Sequence, residues 1–320
     1  MTVIITGANR GLGYATALAL AKERSRTLVL ACRDMTSAIA AANKIKAATG
    51  NDHIVPMYLD LASLATVRRF VADFQALTLP ELKVIICNAG VSKTTVQDKS
   101  AEGYELTFAV NHLGHFLLVH LLLGQLAPPA RILFVSSGLH DAAKTRGAMQ
   151  PPRYVNAEFA AYPTRDPALL KDDAQAGDQA YATSKLCNVM CTVEFARRLQ
   201  IAGYTDITVN AFNPGLMAGT GLGRASKGWT RFIWYYILPL LRPLMGKVAR
   251  TPQQSGTGLA YLATAPEVAE VTATYFDGRQ RQEPAAAARD QTKTTELWES
   301  SIALTHLQSD ETILPIGATP

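Results

Sequence analysis

The chain opens on TVIITGANRGLG, residues 2–13. Thr2 to Thr6 is a short run rich in β-branched residues, which prefer a pleated, half-buried surface. Gly7, Gly11 and Gly13 follow, and from Gly11 to Lys22 small and apolar residues recur at helical spacing. Glycines at such a turn let it be tight and let a pyrophosphate approach backbone N–H groups. The helix N-terminus adds partial positive charge. A glycine pattern alone is weak, but between a first strand and a first helix it is strong. The stretch predicts the first βα unit of a dinucleotide-binding sheet, with Gly7, Asn9, Arg10, Gly11, Leu12 and Gly13 around the phosphates.

The same alternation continues outward. TLVLAC, HIVPMYLDL, KVIICNAG, RILFVSS and DITVNAFNPG read as strands, and ATYFDG as one more short strand. Between them, Met35 to Ala48, Ser63 to Leu77, Ser100 to Val110, His112 to Leu126 and Gln179 to Gln200 read as helices, with Ser63 as a cap. Continuous apolar strands alternating with helices predict a parallel sheet covered on both faces. Right-handed crossovers make it a doubly wound α/β fold, expected as a single domain over residues 1–320. Two regions break the rhythm. Residues 138–177, rich in Pro, Asp and Ala, read as an insertion. Residues 219–250 carry WTRFIWYYILPLLRPLM, apolar and aromatic but broken by Pro239 and Pro243. With Trp229, Phe232, Trp234, Tyr235 and Tyr236 it reads in three ways: a helix on the core, a lid over a bulky apolar substrate, or a membrane or partner contact.

Composition narrows the function. The 320 residues are 48% hydrophobic and 18% charged, with a net charge of +5, ordinary for a globular protein with a sizeable core. No run of Lys and Arg reads as a nucleic-acid patch, so no nucleic-acid partner is expected. Cys32, Cys87, Cys187 and Cys191 show neither disulfide nor zinc spacing. Reduced thiols and, with no signal peptide ahead of the first strand, a cytoplasmic home are expected.

The strand ends carry the chemistry. After the second strand stand Arg33 and Asp34. A carboxylate there holds the ribose hydroxyls of NAD, whereas a cation accommodates the 2′-phosphate of NADP. Arg10 and Arg33 could grip that phosphate from two sides, and Asp34 would oppose them if it turned inward. Asp60, with Leu61 beside it, ends the third strand within reach of an adenine amino group, and Asn88, Ala89 and Gly90 follow the fourth. In AYATSKLCN, residues 180–188, Tyr181 and Lys185 lie four apart and share a helix face. A phenol beside an ammonium is a way to make a phenol acidic. His112 and His115 lack further metal-type ligands and are expected in core or surface, so no metal is expected. His140 is expected in solvent at the pocket rim, and Cys187 in packing.

Seven motifs in order, TGANRGLG, LDL, CNAG, VNH, VSS, YATSK and NPG, resemble the short-chain dehydrogenase/reductase family over residues 2 to about 215. ACR, GYELTFAVNHLGHFLL, YATSKLCN and LWESSIAL resemble its branch of retinol dehydrogenases and light-dependent protochlorophyllide reductases. The resemblance implies that Tyr181 is the general acid/base and that Lys185 lowers its pKa and binds the nicotinamide ribose. It implies that Ser137 hydrogen-bonds the substrate oxygen, and that Asn111 holds a water relaying protons to Lys185. Pro214 and Gly215 join the cofactor set. Ser137, Gly90 and Leu216 stand where the light-dependent enzymes have threonine, alanine and cysteine. These departures favour ordinary hydride transfer, with NADP(H), between nicotinamide and an apolar alcohol or carbonyl, over photochemical reduction. The intact Asn111, Ser137, Tyr181 and Lys185 set argues against a non-enzymatic dinucleotide-binding protein. Related enzymes often pair through the tyrosine-bearing helix, whose apolar Leu186, Val189 and Val193 would suit a homodimer, and the oligomeric state is left open.

Overall fold

The computed structural model describes residues 1–145, 149–217 and 249–316. Apart from its last residue or two, the stretch 219–250, with its aromatic run, lies outside the described residues. Eight strands form one sheet: β1 (Thr2–Thr6), β2 (Thr27–Cys32), β3 (Ile54–Tyr58), β4 (Leu82–Cys87), β5 (Leu126–Val135), β6 (Ile207–Asn213), β7 (Thr274–Asp277) and β8 (Gln280–Gln282). Their spatial order is β3-β2-β1-β4-β5-β6-β7-β8. The first seven are parallel, and β8 returns antiparallel along β7. The order reverses between β1 and β4, so the strand ends there open a crevice for a ligand. β8 has too little apolar character, as GlnArgGln, to be read from sequence.

Helices α1 (Gly11–Leu20), α2 (Met35–Thr49), α3 (Leu64–Gln75), α4 (Leu106–Phe108), α5 (Gly114–Leu122), α6 (Ala157–Ala161), α7 (Asp173–Ile201), α8 (Pro252–Thr264) and α9 (Gln291–Thr305) cover the sheet. One apolar cluster joins α1, α2 and α8 to one face, and a larger one joins α3, α5, α7 and α9 to the other. In the larger cluster, Phe116, Phe195 and Trp298 are fully buried and pack ring to ring with His120. Each such aliphatic or aromatic side chain contributes about 1.5–3 kcal/mol by leaving water. The stretch Leu106–Gln125 is apolar and long enough to cross a membrane, but 89% of it is buried as a core helix.

The structure corrects several expectations. Residues 100–105 are not helical. Lys99 and Glu105 form a bridge, and the Glu105 carboxylate accepts the N–H groups of Thr107 and Phe108, so the helix begins at Leu106. A π turn, Ala109–Leu113, then joins α4 to α5. α7 starts at Asp173, earlier than expected, because Asp172 caps it by accepting the Gln175 N–H. The face of α7 offered for dimer pairing is used within the chain: Leu186 and Val189 are buried in the core, and only Val193 of the three stays partly exposed. Helix α9 packs against α7 and α5, and the buried Glu194 of α7 accepts from Arg197 and Arg198, with Thr294 of α9 also at 3.4 Å.

Candidate active site

β1 delivers the chain into the glycine loop at the crevice. Gly7 (φ 66°) and Gly11 (φ 56°) take left-handed backbone that other residues avoid. Around Gly11 there is open space on the side a side chain would fill, whereas a Cβ on Gly13 would strike the Gly7 carbonyl. Helix α1 has no side-chain cap, with Arg10 extended at its N-cap position. Its first N–H groups are thus open to an anion, and the helix dipole favours one there. The loop borders a cleft of about 680 Å³, large enough for a cofactor-sized ligand.

The far rim of the cleft is basic. Among the described residues, Arg33 is exposed and its guanidinium has no hydrogen-bond or ion-pair partner. Asp34 does not turn inward. It caps α2, accepting from the Ser37 N–H at 3.2 Å and from the Ser37 hydroxyl. Those bonds hold its carboxyl below the usual carboxylate range. Asp60 and Leu61 line the cleft, and one Asp60 oxygen takes the Ala62 N–H at 3.0 Å. Asn88 lines it too, but its amide holds the glycine loop, donating to the carbonyls of Thr6 (2.7 Å) and Gly7 (3.3 Å). Thr6, which no sequence signal singled out, accepts the Asn88 and Ala89 N–H groups at 2.9 Å each.

Tyr181 and Lys185 project from α7 into the same cleft. The Lys185 ammonium donates to the Val135 carbonyl at 3.1 Å and lies 5.6 Å from the Tyr181 ring centre. Both are buried, and burial disfavours a charge on either. It pushes the Tyr181 phenol up to about 12 and the Lys185 ammonium down to about 8. The lowering of the phenol by Lys185, implied by the resemblance, is therefore not what the protein alone sets up. Among the described residues the Tyr181 hydroxyl has no hydrogen-bond partner, so it is free to meet a ligand.

The other members stand behind this pair. Asn111 does not line the cleft. Its Oδ1 accepts the Val91 N–H at 2.8 Å, and its Nδ2 donates to the Val91 carbonyl and to Ser184 Oγ, both at 2.9 Å. Its amide thus clamps the loop after β4 to α7, with no side-chain hydrogen left for a relay water. Ser136, not Ser137, lines the cleft and donates to the Lys185 carbonyl at 2.8 Å. Ser137 is half-buried, and its hydroxyl oxygen takes the Leu139 N–H at 3.3 Å, leaving its own proton to donate. His140 is fully buried, against the expectation of a solvated loop residue. The Ala285 N–H donates to its Nε2, so its Nδ1 carries the proton and donates to the Ser137 carbonyl at 2.8 Å. Pro214 lines the cleft, while Gly215 sits behind it, donating to Asn213 Oδ1 at 3.0 Å. Asn213 is held in turn by Asp277, which pairs with Arg250. The structure adds Cys32, Ser92, Lys93 and Met217 to the wall. His112 and His115 are buried, His112 against Ser301 of α9 and His115 against Thr6.

Comparison with known proteins identifies the family. A family model described as short chain dehydrogenase matches residues 1–150. Human retinol dehydrogenase 13 is 38% identical over 315 residues, 96% of this chain and 85% of that protein. Human retinol dehydrogenase 14 is 34% identical over 320 residues, 94% of this chain and 84% of its own length. Among solved structures, an uncharacterized protein from Mycobacterium paratuberculosis superposes with a TM-score of 0.68 at 28% identity, covering 98% of this chain and 94% of that one. A blue fluorescent protein from a metagenomic library, in complex with NADPH, shares the fold with a TM-score of 0.62 at 22% identity, over 87% and 96% of the two chains. Likeness to the retinol dehydrogenases along nearly the whole length, with the glycine loop and the Tyr181–Lys185 pair on one cleft, means that this chain belongs to the short-chain dehydrogenase family, in its retinol dehydrogenase branch.

Proposed function

We propose that this oxidoreductase moves a hydride between NADP(H) and the carbon of an apolar alcohol or carbonyl, with Tyr181 as general acid/base. The observation that carries the reading is the unpartnered Tyr181 hydroxyl in a cleft it shares with Lys185, the glycine loop and Arg33. NADP(H), when bound, supplies or accepts the hydride. Gly7, Gly11 and the open N-terminus of α1 seat its pyrophosphate. Arg33, with Arg10, meets the 2′-phosphate, and the Asp34 carboxylate is kept from the ribose by its cap on α2. The Tyr181 hydroxyl gives its proton to the substrate oxygen, and in the reverse direction its phenolate takes one. Lys185 binds the nicotinamide ribose, and its charge favours the phenolate as that proton leaves. The Ser137 hydroxyl steadies the developing oxygen charge. An apolar substrate accords with the retinol dehydrogenase relatives.

The test is a panel of aldehydes, ketones and protochlorophyllide with NADPH, in the dark and in light, on wild type and Tyr181→Phe. Dark turnover of apolar carbonyls, reduced ~10²–10⁴-fold in the variant with NADPH binding retained, is the expected result. Turnover of protochlorophyllide only in light, or near-normal dark activity in the variant, overturns it.

A further inference from the structure

We propose that His115 is a positioning residue that ties the Asn111 turn to the glycine loop, so that one imidazole holds both the cofactor seat and the setting of Lys185. This role rests on the function proposed above. His115 is fully buried on the first turn of α5, just after the π turn that carries Asn111. Its Nδ1 lies 3.1 Å from the Asn111 carbonyl oxygen. A carbonyl only accepts, so Nδ1 carries the proton and Nε2 holds a lone pair. That lone pair faces Thr6 Oγ1 at 2.8 Å. The Thr6 oxygen already accepts the Asn88 and Ala89 N–H groups, so its own hydrogen is directed to His115. The only competing acceptor among the described residues, the Ile86 carbonyl, is farther, at 3.4 Å.

Every polar atom of the chain Asn88/Ala89 N–H, Thr6 O–H, His115 and Asn111 carbonyl is therefore matched in one direction. A matched buried network of this kind specifies a single geometry. Thr6 is the last residue before Gly7, and the Asn88 amide holds the Thr6 and Gly7 carbonyls. The Asn111 amide at the other end clamps Val91 and Ser184, next to Lys185. Burial and the nearby Lys185 charge keep the imidazole neutral, down at about 4, which is the form the network requires. A neutral ring without those two bonds would pack as well as a phenyl group; the two hydrogen bonds are what make it a tie.

The two edges can be separated. His115→Asn retains a short donor for the Asn111 carbonyl but cannot reach Thr6, and His115→Gln reaches Thr6 with its Oε1. Each lost bond is worth roughly 3- to 10-fold. His115→Asn is expected to weaken NADPH binding by that factor, and His115→Gln to lower kcat together with NADPH affinity, because Lys185 also binds the nicotinamide ribose. Thr6→Val is expected to weaken NADPH binding more than His115→Asn, because it also strips the Asn88 and Ala89 N–H groups of their acceptor. The two effects are expected to sum to less than full additivity, since both variants remove the Thr6–His115 bond. NADPH affinity is read by fluorescence titration and folding by circular dichroism, neither of which uses turnover. If the histidine variants fail to fold, Thr6→Val alone decides, with unchanged NADPH affinity counting against the role. Lowered Tm with unchanged NADPH affinity and kcat in both histidine variants overturns it, as does full additivity with Thr6→Val. Tyr181→Phe is measured alongside. Turnover surviving there overturns the reading of Tyr181 while leaving the binding arm intact.

Discussion

Replacing Lys185 by methionine should make the cofactor-free protein more stable while abolishing its turnover. Each pH unit by which folding displaces a pKa corresponds to about 1.4 kcal/mol. A lysine moved from 10.5 to about 8 by burial thus carries a cost of about 3 kcal/mol in its charged form. Methionine keeps the unbranched stem and removes the charge. It loses the bond from Nζ to the Val135 carbonyl, worth about 1 kcal/mol. That carbonyl is not orphaned, because Asn188 Nδ2 also donates to it at 3.2 Å. The net gain is about 2 kcal/mol, and for a chain of 320 residues this raises Tm by about 3 °C. The pH dependence identifies the cause. Between about pH 8 and 10.5 the unfolded lysine holds its proton and the folded one does not, so wild-type stability rises with pH through that window. The variant's advantage should be full at pH 7 and mostly gone by pH 10. Other groups titrating there are common to both proteins and cancel in the difference. Thermal melts of both proteins without cofactor, at pH 7 and pH 10, provide the measurement. A variant that melts below wild type at pH 7, or an advantage equal at both pH values, refutes the reasoning. A stabilised but inactive variant is the pattern expected where function holds a charge in an unfavourable place.

Three further outcomes follow from the same geometry. Arg33→Ala should weaken NADPH binding roughly 10- to 100-fold, the worth of a hydrogen bond to a charged group, and leave NADH binding unchanged; equal losses for both cofactors would place Arg33 outside the 2′-phosphate site. Burial holds the pKa values of His112, His115 and His120 down at about 3, 4 and 3, so the unfolded chain takes up protons first as pH falls below about 6.5. Stability present above that value should then drop by about 2 kcal/mol per histidine by pH 5, and an unchanged urea midpoint between pH 7 and pH 5 would contradict it. In Gly177→Ala the new Cβ would run into the Lys93 carbonyl and lie 2.8 Å from the Thr94 carbonyl carbon and the Thr95 nitrogen. Because these are backbone atoms at the cleft wall, a loss of about 1–3 kcal/mol is expected in urea unfolding, and a neutral effect would mean that the loop yields freely.

Local chemistry was enough to read much of the molecule. The β-branched run before Gly7, the helix after it and the repeated apolar strands name a parallel sheet, because their periods and turn residues act over a few neighbours. Tyr181 and Lys185 could be paired from their four-residue spacing for the same reason. Gln280–Gln282 could not be read as a strand, since its only reason to be extended is the edge of β7. His140 and His115 were misplaced or set aside because nothing within a few residues says that a histidine is buried; Ala285 and Thr6, far away in sequence, supply the partners that make burial affordable.

The sequence by itself determined the order of strands and helices, the glycine turn and the residue types available for proton transfer. Only the tertiary structure decided how they are used. It closed Leu186 and Val189 into the chain's own core, and set the Asn111 amide between Val91 and Ser184. Burial also moved Tyr181 and Lys185 to pKa values opposite to those their adjacency alone would imply. The physical reason is that propensity and spacing act along the chain, whereas desolvation and hydrogen-bond satisfaction depend on which distant groups folding brings together.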